Sequence, residues 1–153
     1  MRAGDPSDGS SPTGGIAILI EERIPHETRF RRFELHADGT LKVGGGQTAV
    51  MHKTDWEGRP SADDINLILR ASQDANLASG PPACQPRLID GEEGRFVLIE
   101  YVTPSQSFVY ELEGDCPSLA PLLAGFEKAA IARFRRTLDT LPEAGRQSVP
   151  SAR

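Results

Sequence analysis

Three histidines (His26, His36 and His52) and a few grouped carboxylates are the side chains in this sequence best suited to catalysis or metal binding. His36 and Asp38 stand two positions apart, so on a continuing strand they would project from one face and could begin a metal site. Asp38 also precedes Gly39, and Asp-Gly is explained by turn geometry alone. The sequence contains no HExxH and no Cys/His group at zinc spacing, the patterns that gather enough donors around one ion. Asp90, Glu92 and Glu93 crowd a DGEEG turn. Paired carboxylates can divide acid and base roles or hold calcium, but a solvated turn is the plainer reading. No GxSxG elbow occurs, neither cysteine has an obvious base beside it, and Gly44–Gly46 lacks the Lys-Ser/Thr ending of a phosphate loop. The residues therefore assign no catalytic, cofactor-binding or metal role. The alternative is a small metal-dependent hydrolase or ligand-binding region built on His36, Asp38 and His52.

Other residues suit binding better than chemistry. Arg23, Arg29, Arg31 and Arg32 cluster around one short stretch. They read either as a patch for an acidic partner or as a solvated sheet face protected by charge from edge pairing. Trp56, the single tryptophan, lies in a KTDWEG stretch read as a loop. Exposed, it would anchor an interface; packed under a sheet, it would be core, the reading preferred here. Cys84 and Cys116 form no CxxC pair. A disulfide between them would close a loop of about 30 residues and contribute roughly 3–4 kcal/mol in an oxidising compartment. The other reading is two reduced, semi-buried thiols.

The elements that must position these residues follow from hydrophobic pattern. Arg95–Glu113 is the organising stretch: RFVLIEYV and FVYELE flank a polar turn containing Pro104. Upstream, Ile16–Glu22 predicts a strand buried on both faces at its start, broken at Pro25. Phe30–His36 predicts a second strand, the ADGT turn a hairpin, and Leu41–Val43 a third strand ended by Gly44–Gly46. Ala49–His52 suggests a further short strand. A helix follows, capped by Ser61, with Asp63 and Asp64 in its first turn and a stop at Gly80-Pro81-Pro82. A second helix starts near Pro117 or Ser118, its stripe running Leu119, Leu122, Leu123, Phe126, Ala130, Phe134 and Leu138. The order β-β-β-α-β-β-α predicts an α+β fold, a mainly antiparallel sheet of about five strands with two helices on one face.

The chain has 153 residues, 38% hydrophobic and 25% charged, with a formal net charge of -5. That length suffices for one domain with a real core. Residues 1–15 and 142–153 are rich in polar and breaking residues and predict disordered tails around a domain at 16–141. The acidic balance argues against a nucleic-acid partner. The longest early apolar run, Ile16–Ile20, is far short of the roughly 20 residues that span a membrane, so no membrane partner is expected. It is also too short for a signal-peptide core, which predicts a cytoplasmic location.

Several segments resemble the emfourin family, small bacterial inhibitors of thermolysin-like metallopeptidases: ANLASGPP (Ala75–Pro82), RFVLIEY (Arg95–Tyr101), SFVYE (Ser107–Glu111) and PSLAPLL (Pro117–Leu123). The resemblance covers about Ser61–Leu123. The long N-terminal sheet region, the cysteines and the tails depart from it, and no inhibitory residue is carried over. It implies a non-catalytic protein-binding module and leaves the target open; a thermolysin-like metallopeptidase, inhibited by surface occlusion, is the most specific partner that it suggests. Candidate contact loops are His26–Thr28, Gly44–Arg59 and Thr103–Ser107, with Arg29, Arg31, Arg32 and Trp56 as candidate contact residues. A small-ligand carrier using the sheet–helix interior is the third reading.

Overall fold

Burial alternates residue by residue along Phe96–Val102 and Ser107–Glu113, two strands of the sheet at the centre of the molecule. The structure, a computed structural model, describes residues 11–139, with side chains to residue 131. In chain order the elements are β1 (Ala17–Ile24), β2 (Arg29–Leu35), β3 (Leu41–Gly45), α1 (Gln47–Val50), β4 (Trp56–Gly58) and α2 (Ala62–Asp74). Then come β5 (Leu88–Ile89), β6 (Glu92–Glu93), β7 (Phe96–Val102), β8 (Ser107–Glu113) and α3 (Ala120–Asp139). Six strands form one antiparallel sheet in the order β4-β3-β2-β1-β7-β8, and β5 and β6 pair separately. The fold is α+β, as the pattern predicts.

Register decides which face is covered. Ile18 lies opposite Leu35 and Tyr101, and Ile20 opposite Phe33 and Ile99. All six are buried, and with Leu41 and Val97 they form one apolar face. Ile65, Ile68 and Ala71 of α2, together with Leu122, Phe126 and Ala129 of α3, pack on that face. Phe126 stacks on Phe33 with ring centroids 5.3 Å apart. The residues of opposite parity (Leu19, Glu21 and Arg23 of β1, Arg32 and Glu34 of β2, Leu98, Glu100 and Val102 of β7, Val109, Glu111 and Glu113 of β8) project from the other face. Neither α2 nor α3 covers it. At the β3 end the 46–55 connection folds back over that face, and Gly44 is required there because a methyl would collide with the Lys53 carbonyl.

Several expectations are corrected. β1 is not buried on both faces at its start, since Leu19 is only half-buried on the side without helices. Gly44 and Gly45 continue β3 rather than ending it. Ala49 lies in the helical turn α1, not in a strand, and Trp56 opens β4, not a loop. Ser61 caps α2 as expected, its hydroxyl accepting from the Asp64 amide at 3.1 Å. The helix stops well before Gly80, where Asn76 takes a left-handed conformation at φ 60°. Asp90-Gly91 turns the small β5–β6 hairpin, with both residues at positive φ, a strand pair that the DGEEG reading missed. Ser11–Gly15, expected in the N-terminal tail, instead folds over the β2–β3 turn: the buried Thr13 hydroxyl donates to the Ala37 carbonyl at 2.9 Å. The rest of the predicted tails, residues 1–10 and 142–153, and the Phe134 and Leu138 side chains lie outside the described residues.

Candidate interaction surface

Two groups of charged residues occupy opposite faces of the sheet. On the helix side, the Glu22 carboxylate is buried at the end of the core and receives two arginines. Arg31 Nε and Nη2 approach Oε1 at 2.9 and 2.7 Å, and Arg95 Nε and Nη2 approach Oε2, each at 2.8 Å. Arg95 also donates to the Gly114 carbonyl at 3.0 Å, and Arg31 reaches Glu127 of α3. Arg29, Arg87, Glu27 and Asp115 complete the rim of a cleft of about 430 Å³. Burial pushes the Glu22 carboxyl up, but hydrogen bonds and charge from Arg95 and Arg31 outweigh it and hold the group below the ordinary value of 4.5. Four arginines meet four carboxylates here, so the group ties β1, β2, the entry of β7 and α3 together and leaves little net charge for a ligand. It is a structural clasp.

The uncovered face carries a second chain of charge. Arg32 donates to Glu21 Oε2 and Glu34 Oε2, each at 2.7 Å. His52 Nδ1 stands 2.9 Å from Glu21 Oε1, and His36 Nε2 stands 3.0 Å from Glu34 Oε1. Burial raises the Glu34 carboxyl, and hydrogen bonds from Arg32 and His36 more than offset that, leaving it below its ordinary range. The sequence-predicted candidates are thereby placed. Arg31 and Arg32 point to opposite faces, each bound to internal carboxylates, and the two exposed arginines, Arg23 and Arg29, also lie on opposite faces, so no basic patch is assembled. Trp56 sits on the helix side opposite Val43 and packs against the core. His36 and His52 are held by different glutamates, and Asp38 accepts the Thr40 amide at 2.9 Å within its turn. That amide keeps the Asp38 carboxyl below its ordinary value. Among the described residues, no group of three or more His, Cys, Asp or Glu side chains is arranged to hold a metal ion.

Beyond β1, the same face changes character. Leu98, Val102 and Phe96 of β7 are half-buried, and Val109 of β8 is 57% exposed. Glu100, Glu111 and Glu113 beside them make no ion pair among the described residues. Arg23 lies over the Phe96 ring, 5.6 Å from its centroid. A cleft of about 330 Å³ opens here, lined by Glu21, Arg23, His52, Phe96, Leu98, Glu111 and Glu113. The sequence reading missed this region, although the alternation in FVYELE already puts Val109, Glu111 and Glu113 on one face.

Cys84 and Cys116 are joined by a disulfide, 32 positions apart, and Gln85 and Asp115 exchange backbone hydrogen bonds beside it at 2.8 and 2.7 Å. Gly114, at φ +95°, lets this crossing close, since a side chain would strike the Gln85 carbonyl. The bond pins the segment after α2 to the entry of α3. Among the described residues, no helix is long and apolar enough to cross a membrane.

These features define a two-layer α+β domain with one sheet face left open. No family model and no curated protein matches the chain.

Proposed function

We propose that this chain is a non-catalytic module that binds another protein on the open sheet face beside β8. One observation carries the reading: exposed Val109 and the apolar side chains of β7 adjoin three carboxylates that make no ion pair among the described residues. Elsewhere on the sheet, Glu21, Glu22, Arg31, Arg32 and Glu34 of β1 and β2 are engaged in ion pairs, so this corner is where a partner would gain most. A metallopeptidase of the thermolysin type is the target class that the emfourin-like segments suggest, with occlusion of its cleft as the mode of inhibition. The candidate loops refine that proposal. His26–Thr28 and the 46–55 connection share the end of the sheet near Ile24, whereas Thr103–Ser107 lies at the end near Ala17. One flat contact therefore uses either end with the open face, not all three loops.

The reading of a metal-dependent hydrolase on His36, Asp38 and His52 gains no support from their separate partners. The cytoplasmic location expected from the sequence sits poorly with the Cys84–Cys116 bond, which favours an oxidising compartment. Counting free thiols in protein taken from its native source tests that point: none supports oxidation, two restore the cytoplasm.

The test of function captures partners on the immobilised full chain and on a Leu98→Lys, Val109→Lys variant whose folding is checked by thermal unfolding. A Leu88→Ser variant, changed at an exposed residue of the separate β5–β6 hairpin, is the control. The account expects a stoichiometric partner retained by the wild type and the control and lost by the face variant. Equal retention by all three would overturn it. Titrating the chain into a thermolysin-type peptidase with a peptide substrate tests the target class: tight inhibition supports it, unchanged hydrolysis removes it.

A further inference from the structure

We infer that β8 accepts an extended, lysine- or arginine-bearing segment of a partner protein as a seventh strand of the sheet. The inference rests on the reading that the open face binds protein, and it specifies the partner's conformation and charge. It starts from the two ends of the sheet. At one end, β4 has three residues. At the other, β8 keeps an unbroken register with β7 from Ser107 to Glu113, with no proline or bulge inside it. Such an edge is a template for strand addition.

Hydrogen-bond parity shows which groups are on offer. Thr103 N donates to Gln106 O, and Gly114 N donates to Arg95 O, each at 2.8 Å, at the two ends of the β7–β8 ladder. In an antiparallel pair, alternate residues bond across the ladder, so Phe108, Tyr110 and Leu112 bond to β7. The backbone N–H and C=O groups of Ser107, Val109, Glu111 and Glu113 consequently point outward. No backbone bond among the described residues occupies them. Tyr110 is instead fixed from the helix side, its hydroxyl donating to the Leu77 carbonyl at 2.6 Å.

The side chains of the outward-pointing residues lie on the open face. An added strand would thus set its own residues opposite Val109, Glu111 and Glu113 at two-residue spacing. Basic residues at that spacing fit against the two glutamates, and the aliphatic stem of a third lies against Val109. The cleft beside Leu98, Glu111 and Glu113 gives a long basic side chain an apolar wall and two carboxylates, while the Phe96 ring is already taken by Arg23. The same glutamates act against self-association, because pairing β8 with β8 of a second copy would bring carboxylates together along the shared edge. Acidic extended segments are rejected for the same reason. Charge on this edge therefore discriminates among partners as well as limiting aggregation.

The test uses the full chain and two capped seven-residue peptides, one alternating valine and lysine and one alternating valine and glutamate. Exchange of individual backbone amides is followed by nuclear magnetic resonance. The expected result is that the lysine peptide slows the Ser107, Val109, Glu111 and Glu113 amides by about tenfold or more, while the glutamate peptide leaves them unchanged. A Glu111→Lys, Glu113→Lys variant should reverse the preference, and both changes are on exposed side chains, so folding is kept. Unchanged exchange, or equal effects of both peptides, overturns the inference. Protection of the same amides that rises with the chain's own concentration, without peptide, overturns it in favour of a second copy. If the Leu98→Lys, Val109→Lys variant loses its captured partner while the lysine peptide does nothing, strand addition fails and the open-face reading survives.

Discussion

Glu22 and the pair Glu111 and Glu113 are glutamates on one sheet, yet their circumstances are opposite. Glu22 is 4% exposed and holds two arginines; Glu111 and Glu113 are exposed and make no ion pair among the described residues. The difference teaches that charge alone does not mark a functional surface. A carboxylate whose charge is already compensated inside the protein holds the fold together, while an uncompensated one on an open edge remains available to something else. Arginines tell the same story: Arg31 and Arg32 look like a patch in sequence and serve as internal counter-ions in space.

Substitutions can break this comparison in order of expected effect. Glu22→Ala leaves the buried Arg95 guanidinium without its main carboxylate and half-buried Arg31 with Glu127 alone, and should cost about 3 kcal/mol by denaturant unfolding. Changing Arg31 and Arg95 to methionine together with Glu22 should recover much of that loss; no recovery would mean the clasp is not an electrostatic unit. Replacing Cys84 and Cys116 by serine should cost about 3–4 kcal/mol, because the bond closes a long loop at the entry of α3. An equal stability of the two proteins under oxidising conditions would contradict that.

Acid sharpens the contrast. The Glu22 carboxyl is lowered in the folded protein, so its contribution is fully present above the ordinary value of 4.5 and is lost as pH falls through the lowered folded value. Glu22→Gln should therefore show a shallower loss of stability below pH 4.5 than the wild type, measured by urea unfolding at several pH values. Parallel curves would remove Glu22 from the acid response. The smallest effect is expected at the open edge: Glu111→Ala and Glu113→Ala should each change stability by no more than about 0.5 kcal/mol. A larger loss would mean these residues support the fold and would weaken their assignment to binding.

How far the sequence reveals this arrangement depends on the range of the interaction concerned. The β7–β8 hairpin, the Asp38-Gly39 turn, the Ser61 cap and the core stripe Leu119, Leu122 and Phe126 are local patterns, and each is legible from spacing. Trp56 is harder, because β4 has only three residues and becomes a strand by pairing with β3. Gly80-Pro81-Pro82 is a strong breaker and draws the expected end of α2 too far along the chain, while Asn76 stops the helix earlier with a quieter signal. The clasp was out of reach, since Glu22, Arg95 and Glu127 meet only after the strand order is known. The split of Arg31 from Arg32 was within reach: neighbouring residues on a strand cannot share a face. The open edge needed both the alternation within FVYELE and the knowledge that β8 is last in the sheet.

The most direct measurement is the affinity of the valine–lysine peptide for the wild-type chain and for the Glu111→Lys, Glu113→Lys variant, at low and at moderate salt. If uncompensated charge marks the binding edge, the wild type binds, added salt weakens binding, and the variant does not bind. Equal affinity for both proteins, insensitive to salt, would contradict the distinction between a clasp that is spent within the fold and an edge that is left open for a partner.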